Sequence, residues 1–213
     1  MPPVVDRYEL GPVQTNCYVV RSERGATEAV VVDPGADAAG LRLELARMGA
    51  SCSAILVTHT HYDHVGAVAD LAEASGAPVY APQGEAELLA NADTVYRSYG
   101  VSVRSWSDIV EVMGEEQLEL GGIEWQTINV PGHSPAHVAY YTDGCLFSGD
   151  VLFAGSVGRT DLPGAGWDRL FDSIRLLMDR YEPHTLVFPG HGPETTLGAE
   201  LQRNPFLAEL RTS

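Results

Sequence analysis

A short segment of the chain carries four side chains of the kind that bind metal ions, and it directly follows an apolar run typical of a buried strand. The apolar run covers residues 54–57, and the segment reads Thr58-His59-Thr60-His61-Tyr62-Asp63-His64. Neutral imidazole and carboxylate groups are ligands for zinc, iron and manganese, and such ions activate water or polarise a carbonyl. In open α/β sheets, ligands bind outside the carboxyl ends of the strands. The segment therefore predicts a metal centre on a loop between a strand and a helix.

Three further ligand-type side chains each adjoin a glycine at the predicted end of a strand. They lie in Gly132-His133, Ser148-Gly149-Asp150 and Gly190-His191. Five of the seven histidines thus share one pattern, which favours a common site over scattered surface histidines. The candidate metal ligands are His59, His61, Asp63, His64, His133, Asp150 and His191.

The spacing within the segment divides these ligands between two ions. Side chains two residues apart in an extended chain point the same way, so His59, His61 and Asp63 can converge, and His64 can turn toward a neighbouring ion as a helix begins. One ion would need His59, His61 and a third imidazole such as His133; the other would need Asp63, His64 and His191, with Asp150 between them. About three protein ligands per ion leave positions open for water, as a catalytic site requires.

The two remaining histidines, His137 and His184, are expected not to bind metal, since a lone histidine is usually a surface or core residue. His137 lies four residues after His133. There it can orient a ligand or fix the turn before the next strand, which makes it a candidate for indirect support of the site.

Strand and helix signals alternate along the rest of the chain and predict the α/β class. Leu41, Leu45 and Met48 fall on one face of the first predicted helix, and Asp143-Gly144 predicts a two-residue hairpin. Residues 91–106 form the least regular region, which we interpret as a loop over the site. The predicted strands cover residues 4–10, 17–21, 29–32, 54–57, 123–130, 138–141, 145–147 and 185–188, and the predicted helices cover 38–48, 65–74 and 170–181.

Charge and composition exclude several functional classes. The net charge of -16 argues against a nucleic-acid partner and against a membrane surface, since binding phosphates requires clustered cations. All 13 basic residues are arginine, so a lysine nucleophile is excluded. The sequence has no apolar stretch long enough to cross a bilayer, and its first 11 residues lack signal-peptide character. We therefore expect a cytoplasmic location.

A chain of 213 residues, 45% of them hydrophobic, can bury one sizeable core, and the sequence contains no linker or low-complexity tract. We therefore expect a single domain over residues 1-213. Cys17, Cys52 and Cys145 are too few and too scattered for a disulfide framework, and we expect all three to be reduced and buried.

The ligand motifs resemble those of the metallo-β-lactamase superfamily. The match consists of Thr-His-x-His-x-Asp-His at 58–64, Pro-Gly-His at 131–133, Ser-Gly-Asp at 148–150 and Pro-Gly-His-Gly at 189–192. Within the superfamily, residues 11–18, 158–164 and 204–206 look like segments of glyoxalase II-like hydrolases. The resemblance spans about residues 8–211 and implies an αββα sandwich with the metal site at the edge between two mixed β-sheets.

Carried over to this sequence, the resemblance assigns His59, His61 and His133 to a first ion, Asp63, His64 and His191 to a second, and Asp150 to a bridge between them. It implies two divalent metal ions, with zinc as first choice and iron or manganese as alternatives. The implied activity is hydrolysis of a small acyl-thiol, such as S-lactoylglutathione, to free acid and thiol by a monomer or homodimer. The catalytic residues would be Asp150 and Asp63, with Asp63 orienting or relaying a proton.

The resemblance leaves the substrate and some alternatives open. Longer glyoxalase II enzymes have a helical domain with basic residues for glutathione, whereas only Arg203 and Arg211 are basic beyond His191. Arg159 is a candidate substrate contact, although an ion pair with Asp161 is the favoured interpretation. Iron-dependent persulfide dioxygenases share the same motifs, and the lactamase, nuclease and phosphodiesterase branches remain further alternatives. A metal-dependent binding protein without turnover is an alternative from another class. It is disfavoured because such a protein would need no open coordination positions.

Overall fold

Two mixed β-sheets packed face to face form the centre of the computed structural model, which describes residues 2–211. In spatial order, the first sheet consists of β1 (Val4–Leu10), β2 (Thr15–Arg21), β3 (Glu28–Val32), β4 (Ser51–Leu56), β5 (Val79–Pro82) and β6 (Ile109–Val112). The second consists of β14 (Thr195–Thr196), β13 (Leu186–Pro189), β10 (Cys145–Gly149), β9 (Val138–Thr142), β8 (Ile123–Asn129) and β7 (Gln117–Leu120). A small hairpin pairs β11 (Leu152–Phe153) with β12 (Ser156–Val157).

Helices cover the outer face of each sheet. Within residues 2–211 the α-helices are α1 (Ala38–Met48), α2 (Tyr62–Val65), α3 (Val68–Ser75), α4 (Ala86–Ala90), α5 (Ala92–Arg97), α6 (Trp167–Arg180) and α7 (Leu197–Arg203). Leu41 of α1 and Leu71 of α3 pack in the cluster on the first sheet, and Ile174 of α6 packs in the cluster on the second. A third cluster fills the space between the sheets. This αββα sandwich confirms the predicted fold class.

Strand β2 shows how the sequence forms the layers. Successive side chains of a strand point to opposite faces of the sheet. Cys17 and Val19 therefore pack under the helices, whereas Tyr18 and Val20 pack between the two sheets. All seven residues of β2 are buried, because both faces of the strand are covered. Full burial of a side chain such as valine contributes about 1.5–3 kcal/mol.

The helix predicted over residues 65–74 is wrong in its boundaries. The structure has α2 and α3 in that region, separated at Gly66 and Ala67. A β-carbon added at Gly66 would lie 2.2 Å from the carbonyl oxygen of Gly35, and the Ala67 N–H donates to the carbonyl of Pro34 at 2.9 Å. The backbone of residues 34–35 thus presses against this point and ends the first helical turn. The helix also begins earlier than predicted, at Tyr62, inside the ligand segment.

Other expectations are met or refined. The predicted helix 38–48 coincides with α1, and the Asp143-Gly144 hairpin joins β9 to β10. The irregular region 91–106 contains α5, which the sequence did not indicate. The three cysteines are free and buried, as expected. A single domain over 1-213 remains our proposal, with Met1 and residues 212–213 outside the described part.

No helix among residues 2–211 combines the length and the apolar character that a bilayer span requires.

Candidate metal centre

Connections at one edge of the sandwich bring the seven predicted ligands together. The edge is where β4, β10 and β13 end, and Thr15 at the start of β2 forms an antiparallel bridge with His191 there, which joins the two sheets. His59 and His61 precede α2, Asp63 and His64 lie in α2, His133 lies between β8 and β9, Asp150 follows β10, and His191 follows β13. The site therefore occupies the predicted edge between the sheets.

The first group of ligands consists of three imidazoles. His61 Nδ1 lies 3.0 Å from His59 Nε2 and 2.9 Å from His133 Nε2. His59 and His133 are buried and His61 is half-buried, so the three nitrogens converge beneath the surface. This is the grouping that the resemblance implied for the first ion.

The second group combines a carboxylate with two imidazoles. Asp63 Oδ2 lies 3.3 Å from His191 Nε2 and 3.5 Å from His64 Nε2. His64 is fully buried, whereas Asp63 and His191 are half-buried and line the open side. Asp63 joins this group and not the first, because the chain turns into α2 at Tyr62 and is no longer extended. Asp63 therefore lies with His64 and His191, as the predicted division between two ions has it, and the convergence with His59 and His61 that an extended chain would allow does not occur.

Asp150 lies between the two groups. Its Oδ1 is 3.4 Å from His64 Nε2, and its Oδ2 is 3.4 Å from His133 Nε2 and 3.6 Å from His191 Nε2. Its carboxylate thus approaches nitrogens of both groups, as the bridging assignment predicted.

The donor set fits divalent metal ions. Tetrahedral zinc with nitrogen or oxygen ligands at about 2.0–2.1 Å places the ligand atoms about 3.3 Å apart. The separations are 2.9 and 3.0 Å in the first group and 3.3 and 3.5 Å in the second, on either side of that value. His64 Nε2 and Asp150 Oδ1 are buried and have no hydrogen-bond partner among residues 2–211. Buried polar atoms are rarely left without a partner, so both atoms are suited to binding a cation. Within the same residues, candidate ligand clusters occur only at this edge.

Hydrogen bonds behind the ligands select which imidazole nitrogen faces the site. The Nδ1–H of His133 donates to the Arg159 carbonyl at 3.0 Å, and the Nδ1–H of His64 donates to Asp33 Oδ2 at 2.9 Å. In each case Nε2 keeps its lone pair for a metal, which is the usual role of such a partner. Asp33 also accepts from the Thr58 N–H at 2.8 Å, so it ties the end of β4 to α2.

The electrostatics of the site favour ligand-competent protonation states at His59, His61 and Asp63, whereas the carboxylates beside His64 favour its protonated form. Burial, assisted by the neighbouring imidazoles, lowers the pKa of His59 and brings the pKa of His61 to about 4, so both rings are neutral. Burial opposes ionisation of Asp63, but its hydrogen bond with His191 and the nearby His64 outweigh that effect and lower its pKa to about 2. Burial would lower the pKa of His64, yet the carboxylates of Asp150 and Asp33 raise it well above the ordinary value. Metal binding there displaces a proton.

A family model of the metallo-β-lactamase superfamily matches residues 10–191. The chain belongs to this superfamily. Among its relatives, the "Probable metallo-hydrolase YqgX" of Bacillus subtilis is 37% identical, and the alignment covers 94% of this chain and 96% of the relative. The "Hydroxyacylglutathione hydrolase GloC" of Haemophilus influenzae is 30% identical, with 93% of its length and 91% of this chain covered.

Solved structures of the superfamily superimpose closely on this chain. The BLEG-1 B3 metallo-β-lactamase is 38% identical with a TM-score of 0.88, and TTHA1623 in a di-iron-bound form is 43% identical with a TM-score of 0.85. Each alignment covers the whole of the solved chain, together with 96% of this chain for BLEG-1 and 95% for TTHA1623. ETHE1 from Myxococcus xanthus, 24% identical with a TM-score of 0.79, is covered over 85% by 97% of this chain and shares the fold. The protein is thus a metal-binding member of a metallohydrolase superfamily.

His137 contacts the metal centre but belongs to neither ligand group. Its ring stacks on that of His59, with centroids 4.7 Å apart and planes inclined by 20°. Its Nε2 accepts from the Asp150 N–H at 3.1 Å, whereas its buried Nδ1 has no partner among residues 2–211. The contacts support the predicted indirect role. His184 lies exposed before β13 and outside both groups.

Replacing His137 by Phe is expected to keep the stacking on His59 but to leave the buried Asp150 N–H unpaired. An unpaired buried N–H costs about 1–3 kcal/mol. We expect the free energy of unfolding, measured by urea denaturation, to fall by that amount. His184→Phe makes the same chemical change at the surface and serves as the control. Equal stability of the two variants would contradict a supporting role for His137.

Arg159 forms a two-pronged ion pair with Asp161. Its Nε and one terminal nitrogen each donate to Asp161 at 2.7 Å, and both side chains are largely exposed. The favoured interpretation of this arginine as an ion-pair partner is therefore confirmed. A substrate contact by Arg159 stays a prediction, and the firmer contribution of this residue to the site is its carbonyl, which fixes His133.

Several supporting residues were missed by reasoning from the sequence. Thr15 Oγ1 donates to Asp63 Oδ2 at 2.7 Å, and Asn16 Nδ2 donates to the carbonyls of Pro189 and Gly192 at 2.8 Å each. These bonds hold one ligand of the second group and both sides of the turn that carries His191. The sequence did contain an indication that Thr15 and Asn16 matter, because both residues lie in the segment 11–18 that resembles glyoxalase II-like hydrolases. Asp33 carried no such signal, because it lies in none of the segments that resemble those hydrolases.

Proposed function

We propose that the protein hydrolyses the thioester bond of a small acyl-thiol, using two divalent metal ions, with zinc as first choice. The observation that carries the proposal is the position of Asp150 between two groups of three ligands, with Asp150, His59 and His64 also close to one another. Each group has few enough protein ligands to leave positions for water and substrate, as hydrolysis requires. The name of the GloC relative supports a thioester as the substrate class.

His59, His61 and His133 would hold one ion, Asp63, His64 and His191 the other, and Asp150 would contact both. When bound, such ions acidify water and stabilise negative charge developing on a carbonyl oxygen. The chain itself holds the ligands in place through Arg159, Asp33 and Thr15, whose hydrogen bonds fix His133, His64 and Asp63. Asp63 is half-buried on the open side. There it would orient or relay a proton while remaining a ligand.

A second candidate function is hydrolysis of a β-lactam. The BLEG-1 B3 metallo-β-lactamase is 38% identical to this chain over 96% of its length, which favours this candidate. The persulfide dioxygenase alternative shares the ligand motifs, and the di-iron-bound TTHA1623 shows that a relative accepts iron. Iron content by itself therefore does not separate hydrolase from dioxygenase.

The proposal is tested by elemental analysis of the purified protein together with three assays. The assays follow cleavage of S-lactoylglutathione, opening of a chromogenic β-lactam, and oxygen uptake with glutathione persulfide. We expect two metal ions per chain and thioester cleavage that disappears on chelation and returns with added zinc. One iron per chain with persulfide-dependent oxygen uptake would refute the proposal, and β-lactam turnover without thioester cleavage would favour the second candidate. Gel filtration in the same buffer tests the expected monomer or homodimer.

A further inference from the structure

Glu85 is a buried carboxylate that lies next to the metal centre without being a ligand. It ends a short 3-10 turn, Gln83–Glu85, ahead of α4, and only 4% of its surface is exposed. A charged group is seldom buried to this degree unless its lone pairs are satisfied. Four donors surround this carboxylate, and they come from two different loops.

Each carboxylate oxygen of Glu85 binds one of the two loops. Oε2 accepts from the N–H of Thr60 at 2.8 Å and from its hydroxyl at 2.9 Å. Oε1 accepts from the Ala136 N–H at 3.1 Å and from the hydroxyl of Ser134. Thr60 lies between His59 and His61, and Ser134 directly follows His133. Glu85 therefore joins the two loops that supply the first ligand group.

Neighbouring contacts hold the same junction in place. The Tyr96 hydroxyl donates to the Thr60 carbonyl, so the main chain between His59 and His61 is held at both its N–H and its C=O. A β-carbon added at Gly84 would lie 2.7 Å from the β-carbon of Ala136, so the turn packs directly on the His133 loop. No corresponding contact of Glu85 with Asp63, His64 or His191 occurs among the described hydrogen bonds.

We propose that Glu85 is the positioning residue of the first ligand group, which sets metal affinity there by holding the His59–His61 loop against the His133 loop. The inference rests on the proposed two-ion site and is independent of the substrate. The charge of the carboxylate is essential to the role, since all four partners are donors. A glutamine has the same shape, but its amide NH2 must face either the Thr60 N–H or the Ala136 N–H, and neither backbone donor can rotate away.

The test is titration of the metal-free full-length protein with Co²⁺, followed by visible absorption and calorimetry. In wild type we expect two bound ions per chain. In Glu85→Gln, one ion should bind about ten- to a hundredfold more weakly, and the other should keep its affinity. In a His191→Ala background, which disrupts the second group, Glu85→Gln should weaken the ion that remains. Glu87→Gln removes the same charge from an exposed position on α4 and should bind as wild type does.

A milder variant guards against misfolding of Glu85→Gln. Thr60→Val removes one of the four donors without a change in charge or shape, and we expect a smaller weakening of the same ion. Unchanged affinities in both variants, or equal weakening of both ions, would overturn the role of Glu85. If wild type bound a single ion and Glu85→Gln weakened its binding, the role of Glu85 would be supported and the two-ion proposal refuted. If wild type bound a single ion whose affinity did not change in Glu85→Gln, the role of Glu85 and the two-ion proposal would both be refuted.

Discussion

Replacing Asp150 by Asn is expected to lower kcat/KM for thioester cleavage by about a thousandfold or more while the protein stays folded. Asp150 is the side chain that approaches both ligand groups, with one oxygen 3.4 Å from His64 Nε2 and the other 3.4 Å from His133 Nε2. Asparagine preserves the shape but offers one neutral oxygen and an NH2 group that repels cations. Both ions would therefore lose a negatively charged ligand with a single change.

The measurement combines steady-state kinetics with metal analysis and circular dichroism. Asp172→Asn removes the same charge from an exposed ion pair with Arg175 on α6 and should retain activity, which makes it the matched control. His61→Ala is a second probe, because it removes the nitrogen that lies within 3.0 Å of both other members of the first group. Full activity in Asp150→Asn or His61→Ala, with the fold intact, would contradict the assignment of the site.

The parts of the fold that the sequence predicts are those governed by local patterns. Helix 38–48 shows one apolar face, and Leu41 and Leu45 from that face are buried. The seven ligands were recognisable because imidazole and carboxylate groups next to glycine at strand ends have few structural uses. Their convergence could be expected without knowledge of the sheet order, because strand ends that carry ligands meet at an edge of an α/β sandwich.

The parts that the sequence left undetermined depend on contacts between distant residues. The end of α2 at Gly66 is set by the backbone of Gly35, and no local pattern records that contact. The start of α2 at Tyr62 turns Asp63 away from His59 and His61, and an extended-chain argument misses this turn. Glu85 reads as an ordinary surface residue in an acidic chain, and only the packing of two loops around it shows that it is buried.

Gly35 packs more tightly than any other glycine against a residue far away in the sequence. Replacing it by Ala is expected to destabilise the protein severely. A β-carbon at this position would lie 1.6 Å from the carbonyl oxygen of Asp63 and 2.7 Å from its carbonyl carbon. Both are backbone atoms, so a change of side-chain rotamer cannot relieve the overlap. The main chain of residues 33–35 or the start of α2 must shift, and α2 carries two ligands of the second group.

We expect Gly35→Ala to lower the free energy of unfolding by about 3 kcal/mol, the upper part of the range for overpacked sites. The value should be measured by urea denaturation of the metal-free protein, which separates the steric effect from any loss of bound ions. Gly166→Ala is the matched control, since its backbone is extended and the atoms nearest to an added β-carbon, at 3.4 Å and beyond, belong to the flexible end of Arg169. Its stability should stay within about 1 kcal/mol of wild type. Because a shift of either α2 or Asp33, which binds His64, disturbs the second group, Gly35→Ala should also weaken the ion held by Asp63, His64 and His191, the group that Glu85→Gln leaves intact. If Gly35→Ala proved as stable as Gly166→Ala, the close packing of residues 33–35 on α2 would be refuted.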